Sequence, residues 1–520
     1  MLVVVRTITT LTRLLDVVPL IAADRRIQTV FTVDDGNAAI LAGGMRSVLR
    51  SLDAAVVSWA EATGSTFDLV LAASENDDLN RLDATVVLLP HGVGHQKYYP
   101  GTYTISGLTP ERLPDEASRS RMVYALSHPD QLRRLTKASP TAGRRARVVG
   151  DPALGRMMES RHRSTAYRAA LDARGRTLVV LASTWGPDSL IGQWPELPEH
   201  LLAALPADEY RVVAVLHPGI WAHGPWQVRA WWSRAAEYGL RIMPPEQGWQ
   251  AALLGASCVV TDSGSLSVYA AALGRPVLLA PHGSATTVPG SAADLLGHHA
   301  PRLDRRRELR GQVDAAIATH HPGRYDRVAA AAVDAPDRSA SRLRSLLYEL
   351  IDLPEPAEAA AFPAVPVPAR QPGAATTMTV SAEVSDTVVS MLRYPGIAAS
   401  GAGVELDYQH LVADLDRARL DQVAAATILC TGDGDRDDAA ELLREWPRAS
   451  LVAAAGGADT CRIWTRSAEL VARAPVSRLG IDATVLASWA YVRLRRDGTV
   501  PGRDRLRLGG HLMDVRAEAA

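Results

Sequence analysis

Short apolar runs rich in valine, isoleucine and leucine alternate with helix-patterned stretches over residues 1–280, and this alternation constrains the fold more than any other feature. Strands buried on both faces pair in parallel only when helices carry the chain back across the sheet. The pattern therefore predicts open parallel sheets covered by helices on both sides. A first set of runs falls at 2–5, 27–33, 67–71, 86–89, 123–126 and 146–149. An arginine-rich helical stretch over 151–175 separates it from a second set at 177–181, 211–216, 240–242, 258–260 and 277–279. Two consecutive doubly wound units imply a cleft between them, because ligands of such sheets sit beyond the carboxyl ends of the strands.

Residues 352–378, DLPEPAEAAAFPAVPVPARQPGAATTM, lack apolar periodicity and are rich in proline and alanine, which predicts a flexible linker. Beyond it, helical segments at 405–428, 437–446 and 482–495 and strands at 450–454 and 462–465 predict a small α/β or α+β module of unassigned role. The expected division is thus two Rossmann-like domains over 1–165 and 166–351, the linker, and an accessory module over 379–520. A chain of 520 residues, 47% of them hydrophobic, can bury three cores.

The formal net charge of -1, from 56 basic and 57 acidic residues, gives no global field that would draw the protein onto nucleic acid, and no such partner is expected. Cys258, Cys430 and Cys461 are too few and too scattered for a disulfide framework or a structural zinc site, and they suit a reducing compartment. The amino-terminal MLVVVRTITTLTRLL carries Arg6 and Arg13 inside a short apolar run, which argues against a signal peptide or a membrane span. A soluble cytoplasmic protein is expected.

Four stretches carry groups suited to chemistry. The segment CVVTDSGSLSVYAAALGRPVLLAP, starting at Cys258, reads as strand, polar turn, helix and strand, so Thr261, Asp262, Ser263, Gly264 and Ser265 lie at a helix amino terminus beside a sheet edge. Free N–H groups, the helix dipole and two serine hydroxyls suit an anion there, whereas Asp and Ser are also ordinary helix caps. In LLPHGVGHQKYYPG, a strand ends at Pro90 and His91, Gly92, His95 and Lys97 follow in a glycine-rich loop. Histidine is the usual general base near neutral pH and lysine meets phosphate; Lys97 is one of only two lysines in the chain. Two further strands end in His217-Pro218-Gly219 and in Ser183-Thr184-Trp185-Gly186.

Taken in order, these motifs resemble the GT-B glycosyltransferases, and within them the CDP-glycerol glycerophosphotransferase family that builds teichoic-acid-type polymers. That family's His-Gly-Thr-Pro-Leu-Lys-Lys loop is similar to His91-Gly92-Val93-Gly94-His95-Gln96-Lys97, which keeps the leading His-Gly and the final lysine. Its Gly-x-Pro, Pro-Thr-Trp and His-Pro resemble Gly150-Asp151-Pro152, Ser183-Thr184-Trp185 and His217-Pro218. Its Thr-Asp-Tyr-Ser-Ser and Gly-Arg-Pro resemble Thr261 to Ser265 and Gly274-Arg275-Pro276, so the resemblance spans roughly residues 80–285. One departure stands out: the family has an acidic residue in the helix before Gly-Arg-Pro, where this chain has Tyr269 and no carboxylate.

The resemblance implies a GT-B arrangement in which His91 is the catalytic base, with His217 as its catalytic partner on the donor side. Ser183, Thr184 and the Thr261–Ser265 turn would bind the donor, Gly92, His95 and Lys97 the acceptor or phosphate, and His282 and Tyr269 would line the same cleft. No metal and no cofactor is expected, since no DxD follows a strand in the first two units. The implied partners are a nucleotide-activated donor and a hydroxyl acceptor. Lipid-linked acceptors in the family would place the protein at the inner face of the membrane. Two alternatives stay open: a GT-B scaffold that has lost catalysis and binds or regulates, favoured by Tyr269, and a UDP-sugar 2-epimerase-like enzyme, favoured by Thr-Asp-Ser-Gly.

Other features carry less. Trp221, Trp226, Trp231, Trp232 and Trp249 have the spacing of core aromatics. The acidic run over 431–445 lacks the glycine and the final glutamate of a calcium loop and reads as a helix amino terminus. No GxxxxGK[ST] or GxSxG occurs.

Overall fold

The structure is a computed structural model that describes residues 1–33, 45–99, 101–114, 121–280, 286–370, 375–385, 387–396 and 408–520. Seven parallel strands form the first sheet: β1 (Leu2–Val5), β2 (Val30–Val33), β3 (Val56–Val57), β4 (Thr66–Ala72), β5 (Asp83–Leu88), β6 (Met122–Leu126) and β7 (Ala146–Val148). Their order is β3-β2-β1-β4-β5-β6-β7. Along β1, Val3 and Val5 enter one apolar cluster while Leu2 and Val4 enter another, so both faces are covered and every strand residue is buried. That double burial is why the strand reads as a continuous apolar run.

A second parallel sheet holds β8 (Thr177–Ser183), β9 (Tyr210–Leu216), β10 (Arg241–Ile242), β11 (Cys258–Thr261) and β12 (Val277–Leu279), in the order β10-β9-β8-β11-β12. Val179 and Leu181 of β8 pack on one face, Leu178 and Val180 on the other. The helix Ser339–Leu350 returns to the first sheet, where Leu343, Leu346 and Leu347 join the cluster of Val3 and Val5.

The proline-rich stretch after this helix is laid along the protein. Phe362 and Val365 are buried, the Tyr167 hydroxyl donates to the Val365 carbonyl (2.9 Å), and the Val365 N–H donates to Ser160 Oγ (2.9 Å).

The third region is not the small α/β or α+β module that its sequence suggests. It is a closed barrel of nine strands, running from Thr377–Ser385 to His511–Ala519, with mixed parallel and antiparallel pairing. Residues read as a helix over 405–428 instead form, within their described part, the strand Tyr408–Asp414 and the short helix Leu420–Ala425. Leu486, Trp489 and Ala490 of the helix Val485–Asp497 share one buried cluster with the strands. The barrel docks on the second Rossmann-like domain: Arg393 Nε donates to Asp208 Oδ2 (2.8 Å), and Ala207 N donates to the Arg393 carbonyl (2.8 Å). Among the described residues, no helix is long and apolar enough to cross a membrane.

Candidate active site

The carboxyl ends of β4, β5, β8, β9 and β11 converge on one cleft of about 420 Å³ between the two sheets. His91, Gly92, His95 and Lys97 line it from the first domain, and Ser183, Thr184, His217, Thr261 to Ser265 and Tyr269 line it from the second. His282 lies outside the described residues.

The polar turn after β11 is held from within. Asp262 is 2% exposed. Its Oδ2 accepts from the Thr184 N–H (2.9 Å), the Thr184 hydroxyl (2.8 Å) and the Leu190 N–H (3.0 Å), and its Oδ1 accepts from the Gly264 N–H (3.2 Å). Asp262 therefore ties the end of β8 to the end of β11, with both of its oxygens accepting from the protein itself. The helix Ser265–Ala272 begins at Gly264 without a side chain capping its first turn, so its amino terminus opens onto the cleft. Among the described residues the Ser263 hydroxyl makes no hydrogen bond, and it faces the same space.

His217 ends β9 with its Nδ1 accepting the Gly219 N–H (2.9 Å), which leaves Nε2 as the N–H donor of the neutral ring. The ring stacks on Trp185 at 6.3 Å between centroids. Burial, with smaller effects from the His91 and Lys97 charges, depresses its pKa to about 4.

The His91–Lys97 loop is stitched to the second domain. Val93 N donates to Ser265 Oγ (3.4 Å), Tyr98 N to the Thr286 carbonyl (3.0 Å) and Val288 N to the Gln96 carbonyl (2.9 Å). Gly92 packs closely at this seam, since a Cβ there would lie 2.5 Å from Ser265 Oγ and 3.3 Å from its Cβ and would displace that hydroxyl. His91 opens to the cleft, and the protein walls around it, helped by the Arg13 charge, lower its pKa; Glu75 and the Ala73 carbonyl act in the opposite direction. Lys97 is half-buried, with its pKa lowered by burial and partly restored by Asp262, and its ammonium has no hydrogen-bond partner among the described residues. His95 is buried at a φ of 48° with its pKa lowered to about 4 by burial, then Arg134, and its Nδ1 is unpartnered.

Tyr269 serves the join between the domains. Its hydroxyl donates to Asp151 Oδ2 (3.0 Å) and its ring stacks on Trp249 (5.8 Å). Asp151 also receives both Arg13 guanidinium nitrogens (2.9 and 2.8 Å) and caps the helix Pro152–Ser160 through the Leu154 N–H (2.8 Å). Arg13, Asp151 and Tyr269 are 4%, 0% and 3% exposed, so a charged network bridges the two domains in the interior. Beside it, Asp16 accepts from Arg156 (2.7 Å) and from Gln250 (3.2 and 3.1 Å).

Sequence reasoning passed over Arg13, Glu75 and Tyr124, all of which line the cleft. Glu75 had a visible signal, the polar SENDD run following a strand. Arg13 lies within a helix and Tyr124 within a strand, where nothing in the local pattern marks them. Of the tryptophans, Trp249 lines the cleft, Trp232 is buried and Trp226 is 77% exposed.

No protein-family profile matches the chain, and no curated protein matches it. Among solved structures it is similar to the wall teichoic acid polymerase TagF, at 11% identity over 68% of this chain and 88% of that one, with a TM-score of 0.44. It is also similar to HepE of Anabaena in complex with UDP and glucose, at 13% identity, 68% and 98% coverage and a TM-score of 0.37. The S. aureus MnaA structure with UDP follows at 11% identity, 70% and 98% coverage and a TM-score of 0.39. TagF, of the group that the motif order over residues 80–285 resembles, thus stands among the structures to which this chain is similar.

Proposed function

We propose that the protein is a transferase that moves a polyol phosphate or a sugar from a nucleotide-activated donor to a hydroxyl acceptor. One observation carries this reading: His91 and Lys97 from one Rossmann-like domain face His217 and the open helix terminus at Ser265 from the other, in a single cleft. In the step proposed, the acceptor hydroxyl passes its proton to the neutral His91 imidazole as its oxygen bonds the transferred group. The bond from that group to the nucleotide phosphate breaks, and the leaving nucleotide keeps the electron pair. Lys97, the His217 N–H and the first N–H groups of the helix meet the charge that develops there. Ser183, Thr184 and Asp262 hold the donor turn in shape, and Ser263 offers the free hydroxyl.

His91→Ala should abolish turnover while leaving nucleotide affinity within about twofold, because the base acts on the acceptor side. A panel of CDP-glycerol, UDP-glucose, UDP-N-acetylglucosamine and GDP-mannose, read as a rise in melting temperature, identifies the donor. An active His91→Ala enzyme would defeat the assignment.

A second reading has one observation in its favour. The helix position where the resemblance expects a carboxylate holds Tyr269, whose hydroxyl is committed to Asp151. A scaffold that binds without turnover would show this, and a folded protein unmoved by every nucleotide would favour it.

A further inference from the structure

The cleft is not uniformly charged. Lys97, His217 and the helix terminus at Ser265 line one part of it, whereas Glu75 and Tyr124 of the first domain line the part it shares with a recess of about 250 Å³. Glu75, Asp77, Asp78 and Glu111 line this recess together with Arg112, whose guanidinium is turned onto the Glu75 carbonyl (2.7 Å), and Asp77 is paired with Arg6 (3.3 Å). Glu75 Oε1 accepts from the Tyr99 and Thr109 hydroxyls, each at 2.9 Å, and its Oε2 has no donor among the described residues.

Tyr124 lines both the cleft and the recess. It is 5% exposed and its hydroxyl is without a partner. A buried hydroxyl left unpaired is costly unless a ligand completes it. Beside a carboxylate that has a vacant lone-pair site, it can donate to one ligand oxygen while the carboxylate accepts from a neighbouring hydroxyl. A phosphate fits here poorly, because at neutral pH it is largely a dianion that offers mostly acceptor oxygens and repels the Glu75 charge.

We propose that this part of the cleft takes a neutral, polyhydroxylated group of the acceptor, with Tyr124 and Glu75 binding its hydroxyls, and disfavours a phosphorylated one. That this group belongs to an acceptor rests on the transferase reading. His91 lies within electrostatic reach of both Glu75 and His217, so a hydroxyl bound by Glu75 and Tyr124 would be brought to it beside a phosphate held by Lys97 and His217.

The test is saturation-transfer NMR on the full chain, with glycerol and methyl glucoside as neutral probes and glycerol 3-phosphate as the charged one. Nucleotide-induced melting shifts are read on the same samples. The neutral probes should bind, with glycerol 3-phosphate roughly tenfold weaker, the size expected of one partly screened like-charge contact. Tyr124→Phe should weaken the neutral probes about threefold or more, and Glu75→Gln should improve glycerol 3-phosphate relative to them. Absence of neutral-probe binding, equal binding of glycerol 3-phosphate, or an unaffected Tyr124→Phe protein would overturn the proposal. Polyol binding without any nucleotide shift would instead remove the donor reading and leave the polyol site standing.

Discussion

Replacing Tyr269 by Phe removes one oxygen from the interior and leaves the ring stacked on Trp249. The lost bond is neutral to charged, to a carboxylate that is 0% exposed, and such bonds contribute about 1.5 to 3 kcal/mol. Asp151 keeps both Arg13 nitrogens, so its charge stays paired and the lower end of that range applies. We expect about 1.5 kcal/mol of destabilisation, read as a shift of the urea midpoint at unchanged slope. In an Asp151→Asn background the same substitution should cost about 1 kcal/mol less, since the charge that strengthens the bond is gone. Tyr269→Glu, which would restore the acidic residue of the resembled motif, should cost more than Tyr269→Phe, because it sets a second carboxylate against Asp151. A Tyr269→Phe protein within about 0.3 kcal/mol of wild type would refute the strut, because a buried bond to a charged group does not vanish without trace.

Two further outcomes follow from named contacts. Gly92→Ala should lower turnover by about 10- to 100-fold with the fold retained, since a Cβ at 2.5 Å from Ser265 Oγ pushes the His91 loop off the donor turn. Adding Ser265→Ala should recover part of the loss, and an unchanged rate in the single variant would contradict the seam. His95 and His217 are held near 4 and His410 near 3, against an ordinary 6.5, all chiefly by burial. Between these values the unfolded chain binds more protons, so stability is full above pH 6.5 and falls as pH drops towards 4, by on the order of 3 kcal/mol for His95 alone. Melting temperature from pH 7 to pH 4 checks this, and His410→Phe, whose ring replaces two unpartnered nitrogens, should flatten the profile.

What the sequence made visible tracks how the residues are buried. The long strands of both sheets are covered on two faces and appear as unbroken apolar runs, whereas β3, two residues at an exposed edge, leaves no such run. The barrel strand Thr377–Ser385 mixes Met378, Val380 and Val384 with threonine, serine, alanine and glutamate, too weakly apolar to stand apart from the proline-rich stretch before it. Around 408–415, Tyr408, Leu411, Val412 and Leu415 fall at the i, i+3, i+4 and i+7 spacing of a helix although the first three belong to the strand Tyr408–Asp414. Site residues at strand ends were legible, because topology alone brings them to the cleft. Asp262 was legible as a site residue, but that its oxygens are spent on Thr184, Leu190 and Gly264 depends on contacts 72 to 78 residues away as well as local ones. Tyr269 and Asp151 are 118 residues apart, and no local pattern joins them.

Arg13 shows why the domain join and the chemistry belong to one argument. A guanidinium that is 4% exposed is retained only where its charge is matched, and Asp151 matches it with two parallel bonds. The same group reaches the Gly92 carbonyl (3.4 Å), one residue from His91, and its charge lowers the His91 pKa. A base must be unprotonated when the acceptor arrives, and a cation fixed beside it favours that state. The guanidinium that holds Asp151, the residue to which Tyr269 of the second domain donates, therefore also biases the proton on the His91 imidazole, and a change that displaced Arg13 would protonate His91 more readily at a given pH.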